Sequence, residues 1–283
     1  MIQKIFLLCF LFIACHSQNP IVVFHGIRDS CTGVQSFTNQ LASQLNVYVE
    51  CIETGEGEYS WLYSIPTQLN TACEAIKANP NFFGKDIDVV GLSQGNLIAR
   101  GIIQKCDFNG TVKKYLAVGG PQMGVYAIPE CYDNFFCNIV NFVVRQGVYL
   151  SIFQNHIAPA NYFKDAKSYK SYLDGCKYLP DLNNERPEKN STHKERFGGL
   201  EALMLVKFNN DTTVIPKESA WFGFYDSNLN LVDMTETQLY QEDFIGLKKL
   251  DLSGKVKRVE LPGGHMHYTK TDIENIFVPF LRQ

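Results

Sequence analysis

Ser93, Asp211 and His265 are of the three types that together cleave acyl bonds. A hydroxyl attacks, an imidazole takes its proton, and a carboxylate fixes the imidazole's tautomer. Ser93 is the most telling of the three. It lies in Gly91-Leu92-Ser93-Gln94-Gly95, which fits G-x-S-x-G, a sharp strand-to-helix turn that holds a serine at its tip. The flanking glycines allow the close backbone approach of such a turn. A mostly apolar run, Ile87 to Val90, enters it, and a helix-compatible run, Asn96 to Lys105, leaves it. The pattern alone is weak, and this context gives it meaning. The N–H of Gln94 would then sit at a helix N-terminus, where developing negative charge is favoured.

The other two residues are chosen by order and position. In one widespread arrangement the serine, the acid and the base follow in that order, each on a loop after a strand. Asp211 follows the apolar run Ala202 to Phe208, and His265 follows Val256 to Leu261 on a Pro262-Gly263-Gly264 loop. Asp226 and Asp233 also lie between Ser93 and His265, but neither directly follows a buried strand. His267 competes with His265, yet it lies farther from the strand end and from the glycines. His16, His156 and His193 fall in the leader, the middle of the chain and a polar loop. A second oxyanion donor is expected from the loop after the first strand, His25-Gly26-Ile27-Arg28-Asp29, at the N–H of Ile27. His25 is read as positioning that loop, not as the base.

Those loops need strands and helices to hold them. Pro20 to Phe24 is a short, near-continuous apolar run, as in a sheet covered on both faces. Val34, Phe37, Leu41 and Leu45 recur at helical spacing. Asn46 to Ile52 reads as a strand, Pro66 opens a helix through Ile76, and Tyr115 to Val118 is another strand. This alternation argues a mostly parallel sheet covered by helices, an α/β fold. The rhythm stops at residues 121–200. There Ile139, Phe142, Val143, Tyr149 and Phe153 suggest an apolar helix, and Tyr162, Phe163, Tyr169, Tyr172 and Tyr178 follow. Such aromatics serve a core more often than a groove. The expected division is a leader at 1–17, a core at 18–120 and 201–283, and a largely helical insertion at 121–200.

The chain has 283 residues, enough for one large α/β domain with an insertion. A net charge of −3 gives no reason to expect nucleic acid. Lys4 and the apolar run Ile5 to Ala14 read as a secretory signal peptide cleaved near Ser17, and the run is too short to span a bilayer. Cys9 and Cys15 leave with it; Cys31, Cys51, Cys73, Cys106, Cys131, Cys137 and Cys176 remain for an oxidising compartment. Their spacing suggests no zinc site. Asn109, Asn190 and Asn210 head glycosylation sequons.

Longer stretches carry a family resemblance. His25-Gly26-Ile27-Arg28-Asp29-Ser30-Cys31, the elbow, Val118 to Val125, Val206 to Asp211 and above all Trp221-Phe222-Gly223-Phe224-Tyr225 resemble the lysosomal palmitoyl-protein thioesterases of the α/β-hydrolase superfamily. The resemblance runs from about Pro20 to Leu281. It implies a triad at Ser93, Asp211 and His265, oxyanion donors at Ile27 and Gln94, and disulfides Cys73–Cys106 and Cys131–Cys137. It also implies that the insertion forms a groove for the fatty chain, for which Ile139, Phe142, Val143 and Tyr149 are candidates. Thr32 stands where a second cysteine is expected, and Gly264 where an acidic residue usually precedes the histidine. Cys51 and Cys176 have no implied partner, and a Cys31–Cys51 bridge is left open.

The resulting expectation is a secreted or lysosomal hydrolase without metal or organic cofactor. It would remove palmitoyl groups from S-acylated proteins or peptides, with acyl-CoA as a further candidate. The alternatives are a lipase or carboxylesterase acting on oxyesters, and a catalytically silent acyl-chain binder.

Overall fold

Short apolar runs separated by turn residues build the frame on which the site sits. A computed structural model describes residues 18–126 and 147–282. In chain order these hold β1 (Ile21–Phe24), α1 (Gln35–Leu45), β2 (Val49–Cys51), α2 (Tyr59–Leu62), α3 (Ile65–Ala78), β3 (Ile87–Leu92), α4 (Gly95–Lys105) and β4 (Val112–Val118). After a long excursion come β5 (Ala202–Phe208), the ribbon strands β6 (Phe224–Tyr225) and β7 (Leu231–Val232), and β8 (Val256–Leu261). The leader at 1–17, with Cys131, Cys137, Ile139, Phe142 and Val143, lies outside the described residues.

One six-stranded sheet runs in the order β2-β1-β3-β4-β5-β8, with every neighbouring pair parallel. The expected helix-covered parallel sheet is therefore present. Alternation along each strand feeds two separate cores. Val22, Phe24, Val89, Tyr115, Leu203 and Leu205 face the side of α3 and α4. Ile21, Val23, Val90, Leu92, Leu116, Val118, Met204 and Val206 face α1 and the C-terminal helical segment, 270–282. Ser64 caps α3 by accepting the N–H of Thr67, with Pro66 in the first turn. Asn46 closes α1 in the left-handed region at φ 56°. The expected strand at 46–52 is shorter than its apolar run because that cap occupies its start.

Between β4 and β5, the described residues 121–126 and 147–201 add no strand to the sheet. They hold short helices at Ser151–His156, Tyr169–Gly175, Leu179–Leu182 and Ser191–Gly198. These pack onto α4. The Tyr178 hydroxyl donates to the Leu97 carbonyl at 2.8 Å. Arg100, fully buried, donates to the carbonyls of Gln122 at 2.8 Å and Leu182 at 3.3 Å, with its guanidinium over the rings of Phe197 and Phe222. Tyr162, Tyr172 and Tyr178 are core residues here. Among the described residues two disulfides brace this frame, Cys31–Cys51 and Cys73–Cys106, while Cys176 is a buried free thiol. Among the described residues no helix is long and apolar enough to cross a membrane.

Candidate active site

The elbow is set by what its glycines exclude. A Cβ on Gly95 would lie 2.3 Å from the Phe24 carbonyl oxygen, and one on Gly91 would lie 2.6 Å from Cα of Asn96. Larger residues would push β1 and α4 away from the turn. Ser93 itself sits at φ 52°, in the left-handed region that non-glycine residues seldom adopt. The strain is held by hydrogen bonds on both sides. The Ser93 N–H donates to Val118 O at 2.9 Å. The fully buried Asn96 amide donates to Ser93 O at 2.9 Å and Val118 O at 3.0 Å, while its oxygen accepts the Tyr115 hydroxyl at 2.8 Å.

Loops after three strands bring the sequence-derived trio together. Ser93 Oγ lies 2.7 Å from His265 Nε2, and His265 Nδ1 lies 2.7 Å from Asp211 Oδ2. The other Asp211 oxygen accepts the N–H groups of Thr213 at 2.8 Å and Val214 at 3.0 Å, which fixes the carboxylate's orientation. The acid and base loops are laced together: Gly263 N–H donates to the Asn209 side chain, and Asn210 N–H to Gly263 O, each at 3.0 Å. The Asp211 side chain is 2% exposed and the His265 side chain 15%, so the pair is nearly dry.

The competing residues are engaged elsewhere. Asp226 closes the β6–β7 turn by accepting from Asn228 and Asn230. Asp233 caps a short helix and pairs with Arg258. His267 is exposed, and His193 is buried in the excursion, where desolvation lowers its pKa.

Of the two expected oxyanion residues, Gln94 follows Ser93 in the chain and Ile27 lines the same cleft. Gln94 is the N-cap of α4. Gly26 touches the elbow so closely that a Cβ there would be 3.1 Å from Ser93 Cβ and 3.7 Å from Oγ. This brings the Gly26–Ile27 peptide against the nucleophile. A cleft of about 290 Å³ opens here, lined by Gly26, Ile27, Asp29, Val34, Leu92, Ser93, His265, Met266 and Tyr268. A cleft of similar size beside Cys106 and Arg196 contains none of the trio.

Sequence reasoning did not find the brace on the opposite side of Ser93. The Gln94 amide donates to Ser60 O at 2.7 Å and accepts the Tyr162 hydroxyl at 3.0 Å, so one side chain ties the elbow to α2 and to the excursion. Burial pushes the Tyr162 pKa up, so the hydroxyl stays protonated. No local pattern marks Ser60, and nothing in the aromatic series that begins at Tyr162 ties that residue to Gln94. Tyr149, a groove candidate, packs beside Phe163 and Gly175 and is not among the residues lining the Ser93 cleft. Asn109, Asn190 and Asn210 are all exposed, and Asn190 also caps the helix Ser191–Gly198.

Comparison with known proteins gives the relatives of the chain. The sequence profile of the palmitoyl protein thioesterases matches residues 20–265. The chain is 34% identical to palmitoyl-protein thioesterase 1 of Caenorhabditis elegans, covering 91% of this chain and 90% of that protein. It is 30% identical to palmitoyl-protein thioesterase 3 of Dictyostelium discoideum, covering 99% of each. Lysosomal thioesterase PPT2-B of Xenopus laevis is 30% identical over 70% of this chain and 68% of its own. In fold, the chain is similar to the crystal structure of Paleococcus ferrophilus monoacylglycerol lipase, at TM-score 0.52 and 11% identity, covering 94% and 96% of the two chains. The fold is that of the α/β-hydrolases.

Proposed function

The chain belongs to the palmitoyl protein thioesterase family, a family of hydrolases, and from that premise we propose that it removes palmitoyl groups from S-acylated cysteines through an acyl-enzyme on Ser93. The observation that carries this reading is the hydrogen-bonded line Ser93–His265–Asp211 beside the Gly26–Ile27 peptide. His265 Nε2 takes the proton from Ser93 Oγ as Oγ bonds to the thioester carbonyl carbon. Asp211 holds the proton on Nδ1 and stabilises the imidazolium. The carbonyl oxygen becomes an oxyanion that accepts the N–H groups of Ile27 and Gln94. The C–S bond then breaks, and the cysteine sulfur leaves with its electron pair, takes the proton from His265 Nε2 and departs as the free thiol, which leaves the imidazole neutral. Water, deprotonated by His265, attacks the acyl-Ser93 ester. The C–Oγ bond breaks, Oγ regains a proton, and the fatty acid departs. These steps use only residues of this chain and water.

Residues 121–200, with Ile139, Phe142, Val143 and Tyr149, are proposed to line the path of the fatty chain. Each methylene buried there is worth at most about 0.8 kcal/mol, so kcat/KM should rise with acyl length until the groove ends. Substrates would be S-palmitoylated proteins and peptides, and acyl-CoA shares the reacting group. Passage through the secretory pathway to a lysosome or the exterior fits the leader-like residues 1–17, the two disulfides and the exposed sequons. Relatives named lysosomal thioesterases point the same way.

The test is palmitate release from an S-palmitoyl peptide and its oxyester twin, by the wild type and by Ser93→Ala. Expected are a preference for the thioester and a loss of about 10⁴-fold or more in kcat for Ser93→Ala, which remains folded. Equal labelling of both proteins by a serine-directed fluorophosphonate would sink the assignment of Ser93.

A further inference from the structure

His25 ends the loop side of β1, and its side chain is 1% exposed. Both ring nitrogens face oxygen. Nδ1 lies 2.8 Å from the carbonyl oxygen of Gly26, and Nε2 lies 2.7 Å from Oε1 of Glu53. A backbone carbonyl can only accept, so Nδ1 carries a proton. Glu53 accepts two further donors, the N–H of Cys31 at 3.0 Å and that of Gly55 at 2.9 Å. Burial raises the Glu53 carboxyl, but these donors and His25 outweigh it and hold it below the ordinary value. An ionised carboxylate also only accepts, so Nε2 carries a proton as well.

We infer that His25 works as an imidazolium, clamped by Glu53, and is a positioning residue that sets the Gly26–Ile27 peptide of the oxyanion hole. In a trans peptide the C=O and the next N–H point to opposite sides. Holding the Gly26 carbonyl on the His25 side therefore turns the Ile27 N–H the other way, on a peptide that lies against Ser93. A neutral ring has one proton for two acceptors, so it must release either the carboxylate or the carbonyl, which then keeps only the longer 3.4 Å bond from the Asp29 N–H.

Glu53, just beyond β2, is the charged group against the ring. On the same loop, Arg28 is paired with Glu58, and Asp29 accepts the N–H of Ser30. The first turn of α4, which abuts the backbone here, bears no charge from Gly95 to Ile98. His265 lies beyond Ser93. The sulfur of Cys31 is also close to both side chains, but it is bonded to Cys51, so this trio is not a thiolate metal site.

The inference rests on Ile27 as an oxyanion donor, and Glu53→Gln tests it. The glutamine oxygen can still accept from Nε2 and the Gly55 N–H but carries no charge, and its NH₂ group gives up the Cys31 N–H. Because the Glu53 side chain is 40% exposed, the fold should tolerate the change. The loss in kcat should grow with pH and reach about tenfold or more on the alkaline side, short of deleting a whole oxyanion donor, with KM little changed. Nitrogen NMR of the histidine rings should show His25 doubly protonated in the wild type and losing its second proton at lower pH in Glu53→Gln. The rate of fluorophosphonate labelling at Ser93 should fall in parallel, and it reads the oxyanion hole whatever the natural substrate is. A labelling rate reduced equally at every pH, or a His25 ring that is neutral where the wild type is active, would overturn the inference. Failure to cleave palmitoyl thioesters, with labelling and NMR as expected, would overturn only the substrate assignment.

Discussion

At the level of single residues, the fixed orientation of Asp211 makes a sharp prediction. One carboxylate oxygen is occupied by the N–H groups of Thr213 and Val214, and the other faces His265. In Asp211→Asn the amide oxygen must take the first position, because only an acceptor fits there. The NH₂ group then faces Nδ1 and forces the proton onto Nε2, the nitrogen that has to accept from Ser93. The expected result is a fall in kcat of about 10³- to 10⁴-fold with little change in KM, as wrong-tautomer variants of serine hydrolases show. Asp226→Asn and Asp233→Asn should remain close to wild type, because those carboxylates serve a turn and a helix cap. Steady-state kinetics on one thioester substrate compare all three. The sequence could point to Asp211 because a buried strand delivers it to the same sheet edge as Ser93. It could not point to Glu53, Ser60 or Tyr162 as partners of the oxyanion residues. Those contacts depend on which loops become neighbours in space, and nothing in the local spacing records that.

At the level of elements, legibility followed burial. β1, β3 and β5 are apolar because both faces of the sheet are covered, so they stand out in the chain. The ribbon of β6 and β7 is two residues long on each side and gives no periodicity to read. The Cys31–Cys51 bond was open for a related reason. It needs β2 beside β1, with Val23 opposite Cys51, and strand order in a parallel sheet is set by crossovers that sequence spacing does not encode. Cys73–Cys106 joins α3 to the C-terminal end of α4 across a separation of 33 residues. Closing such a loop stabilises by roughly 3–4 kcal/mol in the chain-entropy account. That end of α4 is about 16 Å from the elbow, taking 1.5 Å per residue. The double change Cys73→Ser with Cys106→Ser should therefore lower the denaturation midpoint clearly while leaving kcat/KM near wild type well below that midpoint. A loss of activity without loss of stability would mean that this bond shapes the site from a distance.

At the level of the whole molecule, one buried carboxyl makes stability depend on pH in an unusual direction. Asp88 is on β3, 2% exposed, under the C-terminal helical segment. Burial raises its pKa to about 6, against the opposing pull of the Asn19 amide and Lys114. Lys114 gives little relief: its ammonium is 3.9 Å away and donates to the Leu281 carbonyl at 2.7 Å. Because the folded-state value lies above the unfolded one, near 4, the folded protein keeps a proton between those limits that the unfolded chain has released. This contribution is complete below about pH 4 and is lost as pH rises through 6, for a total on the order of 3 kcal/mol. Most carboxylates with resolved shifts here, such as Glu53, Asp86 and Asp233, run the other way, so the net curve of the wild type is a sum of opposed slopes. Asp88→Asn isolates the single term. The asparagine oxygen can still accept from Asn19 and the Lys114 N–H, and the side chain is neutral at every pH. Stability measured by chemical denaturation should be similar for the two proteins near pH 4, and the variant should lead increasingly as pH rises to 7. Parallel curves across that range would mean that Asp88 stays ionised in the folded protein.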